Sequence, residues 1–115
     1  MEKITSTEQF QTLIQGEKPV MAVFKAVWCK DCHFIDPFMP DVEAKYADKL
    51  TLIEIDRDEF PDLCDHYQIL GIPSFIAFSQ GKELVRFVSK LRKTREEIEQ
   101  FFDRALQVAD TLQKG

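Results

Sequence analysis

The sequence predicts an α/β domain: a central mixed β-sheet with helices packed on both of its faces. Three observations carry this. Short apolar runs bounded by proline, glycine or charge alternate along the chain with stretches of helical period. The alternation of strand and helix implies crossover units. The last two strands are joined by a tight turn, which makes the sheet mixed.

At the N-terminus Lys3 and Ile4 can form a short strand. Ser6-Thr7-Glu8-Gln9 fits a capping box, with Phe10, Leu13 and Ile14 at helical spacing behind it and Gly16 as a stop. Pro19 then opens the run Val20-Met21-Ala22-Val23-Phe24, short enough and apolar enough for a strand buried on both faces. From Cys29 to Asp48 a helix is predicted. Phe34, Ile35, Phe38, Met39, Val42 and Tyr46 mark its apolar face, and a bend is expected near Pro37. Thr51 to Ile55 reads as a strand and Glu59 to Tyr67 as a short helix carrying Cys64. Phe75 to Phe78 and Leu84 to Val88 are strands joined through Ser79-Gln80-Gly81-Lys82. Thr94-Arg95-Glu96-Glu97 is a second capping box, and the helix behind it aligns Ile98, Phe101, Phe102, Ala105, Ala109 and Leu112.

With 115 residues, no repeat and no linker, the chain is one domain, residues 1–115. Ten phenylalanines suggest a core filled largely by aromatic rings. A net charge of -5 speaks against nucleic acid and anionic membranes as partners. The run ending at Phe24 is far short of the ~20 residues that span a bilayer. The first residues carry no apolar leader pattern, so a cytoplasmic protein is expected.

Three cysteines do not make a disulfide framework; two of them, as Cys29-x-x-Cys32, point to redox chemistry or metal. The segment Trp28-Cys29-Lys30-Asp31-Cys32 falls where a buried strand ends and a helix begins. Unsatisfied N–H groups at a helix N-terminus stabilise a thiolate. A spacing of three brings both sulfurs to one helix face, so one can attack a disulfide and the other can displace the mixed disulfide that results.

Here the sequence resembles the thioredoxin family. Trp28-Cys29-Lys30-Asp31-Cys32 is similar to its active-site motif, with Lys-Asp where the family usually has Gly-Pro. Pro37 falls where the family kinks the same helix, Gly71-Ile72-Pro73-Ser74 is similar to its cis-proline loop, and Gly81 matches its hairpin glycine. The resemblance covers nearly the whole chain and implies a thioredoxin-like three-layer sandwich. It also implies a disulfide oxidoreductase with Cys29 as nucleophile, Cys32 as resolving thiol, and Trp28, Ile72, cis Pro73 and Ser74 beside them contacting substrate. No bound cofactor or metal is implied. Partners would be disulfide-containing protein substrates and, as electron donor, a reductase or a low-molecular-weight thiol. The implied molecule is a monomer, one of several such paralogues in a bacterium.

Departures from the family bear on mechanism. Its buried acidic residue on the central strand corresponds to Val23, and the partnering lysine to Leu52. Val23 cannot take a proton from Cys32, so water or Asp31 is expected to substitute, with slower release of substrate. A family glycine near the substrate groove corresponds to Ser89. Lys30 should favour an anionic Cys29 and Asp31 should oppose it, with His33 adding charge only when protonated. The alternative function is a low-turnover adaptor module that forms stable complexes with partner proteins.

Other readings were weighed on the residues. Cys29-x-x-Cys32-His33 matches the attachment motif of c-type haem, and Cys29, Cys32, Cys64 and His66 could in principle hold zinc. Cys64 reads as a small apolar filler. Arg86, Lys90, Arg92, Lys93 and Arg95 read as a solvated basic edge, with a docking patch for an acidic partner as the alternative.

Overall fold

The computed structural model describes residues 1–114. In chain order it contains β1 (Glu2–Lys3), α1 (Thr7–Leu13), β2 (Val20–Lys25), α2 (Lys30–Ile35), α3 (Met39–Tyr46), β3 (Thr51–Asp56), α4 (Pro61–His66), β4 (Ser74–Ser79), β5 (Lys82–Phe87) and α5 (Arg95–Lys114). The five strands form one sheet in the order β1-β3-β2-β4-β5. β1 and β2 each run parallel to β3, whereas β4 is antiparallel to both β2 and β5. The sheet is therefore mixed before the closing hairpin begins, because the connection through α4 returns the chain in the opposite sense.

β2 is the central strand, and alternation along it divides the core in two. Val20, Ala22 and Phe24 pack with Phe10 and Ile14 on one face, joined by Leu63, Cys64 and Ile69 around α4. Met21 and Val23 face Ile35, Met39, Val42 and Tyr46, with Ile98, Phe102 and Ala105 of α5. β4 splits in the same way, Ile76 and Phe78 to the first face and Phe75 and Ala77 to the second. Edge-to-face contacts at Phe10–Phe78 (5.5 Å) and Phe75–Phe102 (5.9 Å) tie helices to the sheet on opposite sides. Burying each such ring contributes about 1.5–3 kcal/mol.

Local sequence terms are met at both helix starts. Ser6 Oγ accepts from the Gln9 amide at 3.0 Å, while the Gln9 side chain reaches back to the Thr5 amide, one residue before the cap. Thr94 and Glu97 form the reciprocal box, at 3.2 Å from the Glu97 amide to Thr94 Oγ1 and 3.1 Å from the Thr94 amide to Glu97 Oε1. The β4–β5 turn places Gln80 at φ 53° and Gly81 at φ 79°. Two successive positive φ values match the twist of a two-residue hairpin.

Four expectations are corrected. The predicted helix from Cys29 to Asp48 is two helices, not one with a bend: Pro37 lacks an N–H, and α3 restarts with Pro40 in its first turn, where that N–H is not needed. Phe34 is exposed although it keeps the helical period, because the break at Pro37 rotates α2 against α3. Leu112 is exposed near the end of α5, and Phe101 is half-buried. Lys93 does not belong to a solvated edge: it is buried, with Nζ donating to the Ser89 and Leu91 carbonyls at 3.2 Å and lying 5.2 Å from the Phe87 ring centre.

Gly71 fixes the approach of two loops. A Cβ there would lie 2.3 Å from the Ser89 carbonyl oxygen and 2.7 Å from its carbon, and backbone cannot yield as a side-chain tip can. Gly71→Ala should lower stability by about 2 kcal/mol or more in a urea melt with unchanged m; a loss within ~0.5 kcal/mol would show that the loops separate freely.

Candidate functional site

The site is built at the end of β2, where the chain leaves the sheet and enters α2. The Cys29 amide donates to the Ala26 carbonyl (3.2 Å), closing the turn. Cys29 is then the N-cap of α2, with extended backbone (φ -84°, ψ 115°) and its Sγ accepting from the Cys32 amide at 3.1 Å. A cysteine sulfur thus does what a serine or aspartate oxygen does at other helix starts, and the same N–H stabilises negative charge on it. On its other side Cys29 Sγ lies 3.6 Å from the Ile72 carbonyl oxygen. Cys32, one turn in, is fully buried and packs with Ala26, Cys29 and Ile72.

The elements bring together the residues that spacing singled out. The Ile72–Pro73 bond is cis, Pro73 is buried, and the Ser74 hydroxyl donates to the Gly71 carbonyl. The Trp28 ring is exposed; its indole N–H donates to Asp58 Oδ2 at 2.9 Å and the Arg57 guanidinium lies 6.0 Å from its centre. Lys30 is exposed. The Asp31 carboxylate accepts from Arg92 at 2.9 Å, and the same guanidinium sits 4.5 Å from the Phe34 ring centre. Arg92 therefore partly neutralises the charge at Asp31, and it covers a ring that the core leaves out.

Not every cysteine reaches the site. Cys64 is buried on the opposite face of the sheet, among Phe10, Ile69 and Phe78. Among the described residues no group of three or more His, Cys, Asp or Glu side chains is arranged to hold a metal ion. No helix among them is long and apolar enough to cross a membrane.

Burial dominates the electrostatics of the second motif thiol. Burial pushes the Cys32 thiol up to about 12, and its hydrogen bond with Cys29 pushes the same way; the Ala26 amide and Lys25 act against them. Burial likewise holds Cys64 up to about 11. Lys93 is pulled down by burial, against the attraction of Asp31 and the two motif thiols.

Sequence reading missed Lys25, Asp36 and Glu54. Lys25 Nζ lies 2.5 Å from Asp36 Oδ1 and 3.6 Å from Glu54 Oε1, on the face of β2 that also carries Val23. Two signals could have found the first two: Lys25 is two residues beyond Val23 on a strand, and Asp36, the C-cap of α2, is four beyond Cys32.

Comparison with known proteins agrees with this geometry. The family model described as Thioredoxin matches residues 2–104. The chain is 33% identical over 104 residues to the thioredoxin of Alicyclobacillus acidocaldarius subsp. acidocaldarius, covering 90% of this chain and 91% of the relative. It is 32% identical over 103 residues to the chloroplastic thioredoxin X of Arabidopsis thaliana, covering 90% of this chain. It spans only 57% of that relative's length, and 58% of the chloroplastic thioredoxin Y of Oryza sativa subsp. japonica. Among solved structures, Plasmodium falciparum thioredoxin superposes with a TM-score of 0.81 at 23% identity, covering 90% of this chain and 98% of that one.

The two raised thiols hold about one-thousandth or less of thiolate at about pH 8. Iodoacetamide should therefore label Cys29 at least tenfold faster than Cys32 or Cys64, as mapped by peptide mass. A Cys64 thiol whose folded value lies above its ordinary 9.0 contributes to stability fully below about pH 9, and loses that contribution as pH rises towards 11. Cys64→Ala should flatten the alkaline limb of the stability profile; an unchanged limb contradicts this.

Proposed function

Because the chain belongs to the thioredoxin family, we propose that it is a thiol–disulfide oxidoreductase that reduces protein disulfides through a Cys29/Cys32 dithiol–disulfide cycle. The observation that carries the reading is the N-cap geometry, in which Cys29 Sγ receives the Cys32 amide at 3.1 Å while the second thiol waits buried beneath it.

The cycle balances as two exchanges. Cys29 thiolate attacks one sulfur of a substrate disulfide, forming the Cys29–substrate bond and releasing the other sulfur as thiolate. Cys32 then loses its proton and attacks Cys29 Sγ. This forms the Cys29–Cys32 disulfide and frees the second substrate thiolate. The substrate gains two electrons and the cysteine pair loses two. An electron donor, either a reductase protein or a low-molecular-weight thiol, restores the dithiol.

Trp28, Ile72, Pro73 and Ser74 border this chemistry. The Ile72 amide has no hydrogen-bond partner among the described residues, which leaves it to pair with an extended substrate segment in strand-addition fashion. Lys30 and Asp31 tune the charge at Cys29, the latter tempered by Arg92. The proposal takes a monomer in the bacterial cytoplasm as its setting. Cysteine usage supports a reducing environment: one pair in a redox motif and a third cysteine buried apart from it. The adaptor reading is not favoured, because the relatives that match over most of the chain are thioredoxins.

Insulin reduction with dithiothreitol as donor tests the cycle. Cys29→Ser should lower turnover by about two orders of magnitude or more. Cys32→Ser should do the same while accumulating a covalent insulin adduct through Cys29, visible on a non-reducing gel. Turnover retained in either variant overturns the assignment.

A further inference from the structure

A polar cleft of about 200 Å³ is lined by Lys25, Ala26, Val27, His33, Asp36, Glu54 and Asp56, and of these Ala26 packs against the buried Cys32. Its charges come from three elements. On β2, Lys25 is only 14% exposed at its side chain. On β3, Glu54 lies in register with Val23, and Asp56 uses one carboxylate oxygen to accept from the Asp58 and Glu59 amides. On α2, Asp36 is one turn beyond Cys32 and is approached by His33 Nδ1 at 3.4 Å. Lys93, before α5, is buried, and its ammonium is attracted by Asp31 and the two motif thiols.

A half-buried lysine bound to two carboxylates is costly to place unless the arrangement serves the fold or the chemistry. Two observations point to chemistry. Lys25 directly precedes Ala26, which packs against Cys32, and opposite charges on the two groups favour each other. The nearest position deeper on the same face of β2, Val23, is wholly buried and apolar, so no acid there assists Cys32.

We propose that Lys25 is a positioning residue for the resolving step: its ammonium, held by Asp36 and Glu54, steadies the negative charge that Cys32 carries as it attacks the mixed disulfide. The two carboxylates fix where the ammonium sits, and they moderate its charge. In the step itself the Cys32 proton passes to bulk water, and the electron pair left on Cys32 Sγ forms the bond to Cys29 Sγ. The Cys29–substrate bond breaks, and the departing thiolate takes a proton from solvent. This inference rests on the dithiol cycle proposed above.

The test uses the full chain with Cys29→Ser and Cys64→Ala, so that Cys32 is the only thiol, and follows its alkylation by iodoacetamide from neutral to alkaline pH. Lys25→Met should slow alkylation about tenfold at a given pH, and Lys25→Arg should restore most of the rate. Glu54→Gln should act with the opposite sign, speeding alkylation about threefold, because it leaves the ammonium less compensated. An unchanged rate in Lys25→Met, or a fall in both Lys25→Met and Glu54→Gln, overturns the proposal; a merely structural role gives the second pattern. If Lys25→Met does not fold, the sign in Glu54→Gln decides alone. With both motif cysteines present, single-turnover release of substrate from the mixed disulfide should slow in Lys25→Met, while the first attack by Cys29 stays within about twofold. Failure of the wild type to reduce insulin would remove the dithiol cycle but leave the Cys32 rates to judge Lys25. Normal insulin reduction with Cys32 rates indifferent to Lys25 would remove this inference alone.

Discussion

Everything in this molecule hangs on β2 being paired on both edges and covered on both faces. It bonds to β3 over its whole length, Val20 to Lys25, and to β4 from Val20 to Phe24. Such a strand has no free backbone group and no wet face, so only apolar residues suit its interior. The strand becomes polar only at Lys25, its last residue, and there the chain turns out of the sheet into α2. Cys29, the proposed nucleophile, sits on the loop directly after this rigid strand, a mobile type of element held still by a stiff one.

That placement sets the chemistry of the two thiols apart. Cys29 is buried as the helix cap, facing the Ile72 carbonyl. Cys32 lies below it, dry, and burial holds its proton tightly. With one sulfur held as a helix cap and the other wholly buried, the proposed cycle runs in a fixed order. The cost of withholding Cys32 is that it must later be deprotonated, and the charges that can help come from Lys25 on the sheet, with Asp36 from the helix above and Glu54 from the neighbouring strand.

The loop before α5 shows how a charge cluster changes meaning in three dimensions. Five basic residues near one another in sequence read as one surface, yet they go separate ways. Arg86 pairs with Glu83 and Arg95 with Glu99, while Arg92 binds Asp31 between the motif cysteines. Lys93 turns inward to backbone carbonyls and an aromatic ring, its aliphatic stem filling space that an apolar residue would otherwise take. Arg92 ties this loop to the motif through Asp31.

Local signals were strong where a residue's own chemistry decides its conformation. Ser6 and Thr94 cap helices, Gly81 makes a hairpin turn, and the run ending at Phe24 fits only a covered strand; each was legible because the determinant lies within a few residues. The same holds for Cys29 and Cys32, whose spacing and strand-to-helix context are local facts. Tertiary structure alone decided the rest. It put α4 on one face and α5 on the other, returned β4 antiparallel to β2, and left Phe34 outside the core behind the break at Pro37. It also joined Lys25, Asp36 and Glu54, which no short window of sequence contains. Burial and charge pairing depend on what lies across space, and the sequence records only what lies along the chain.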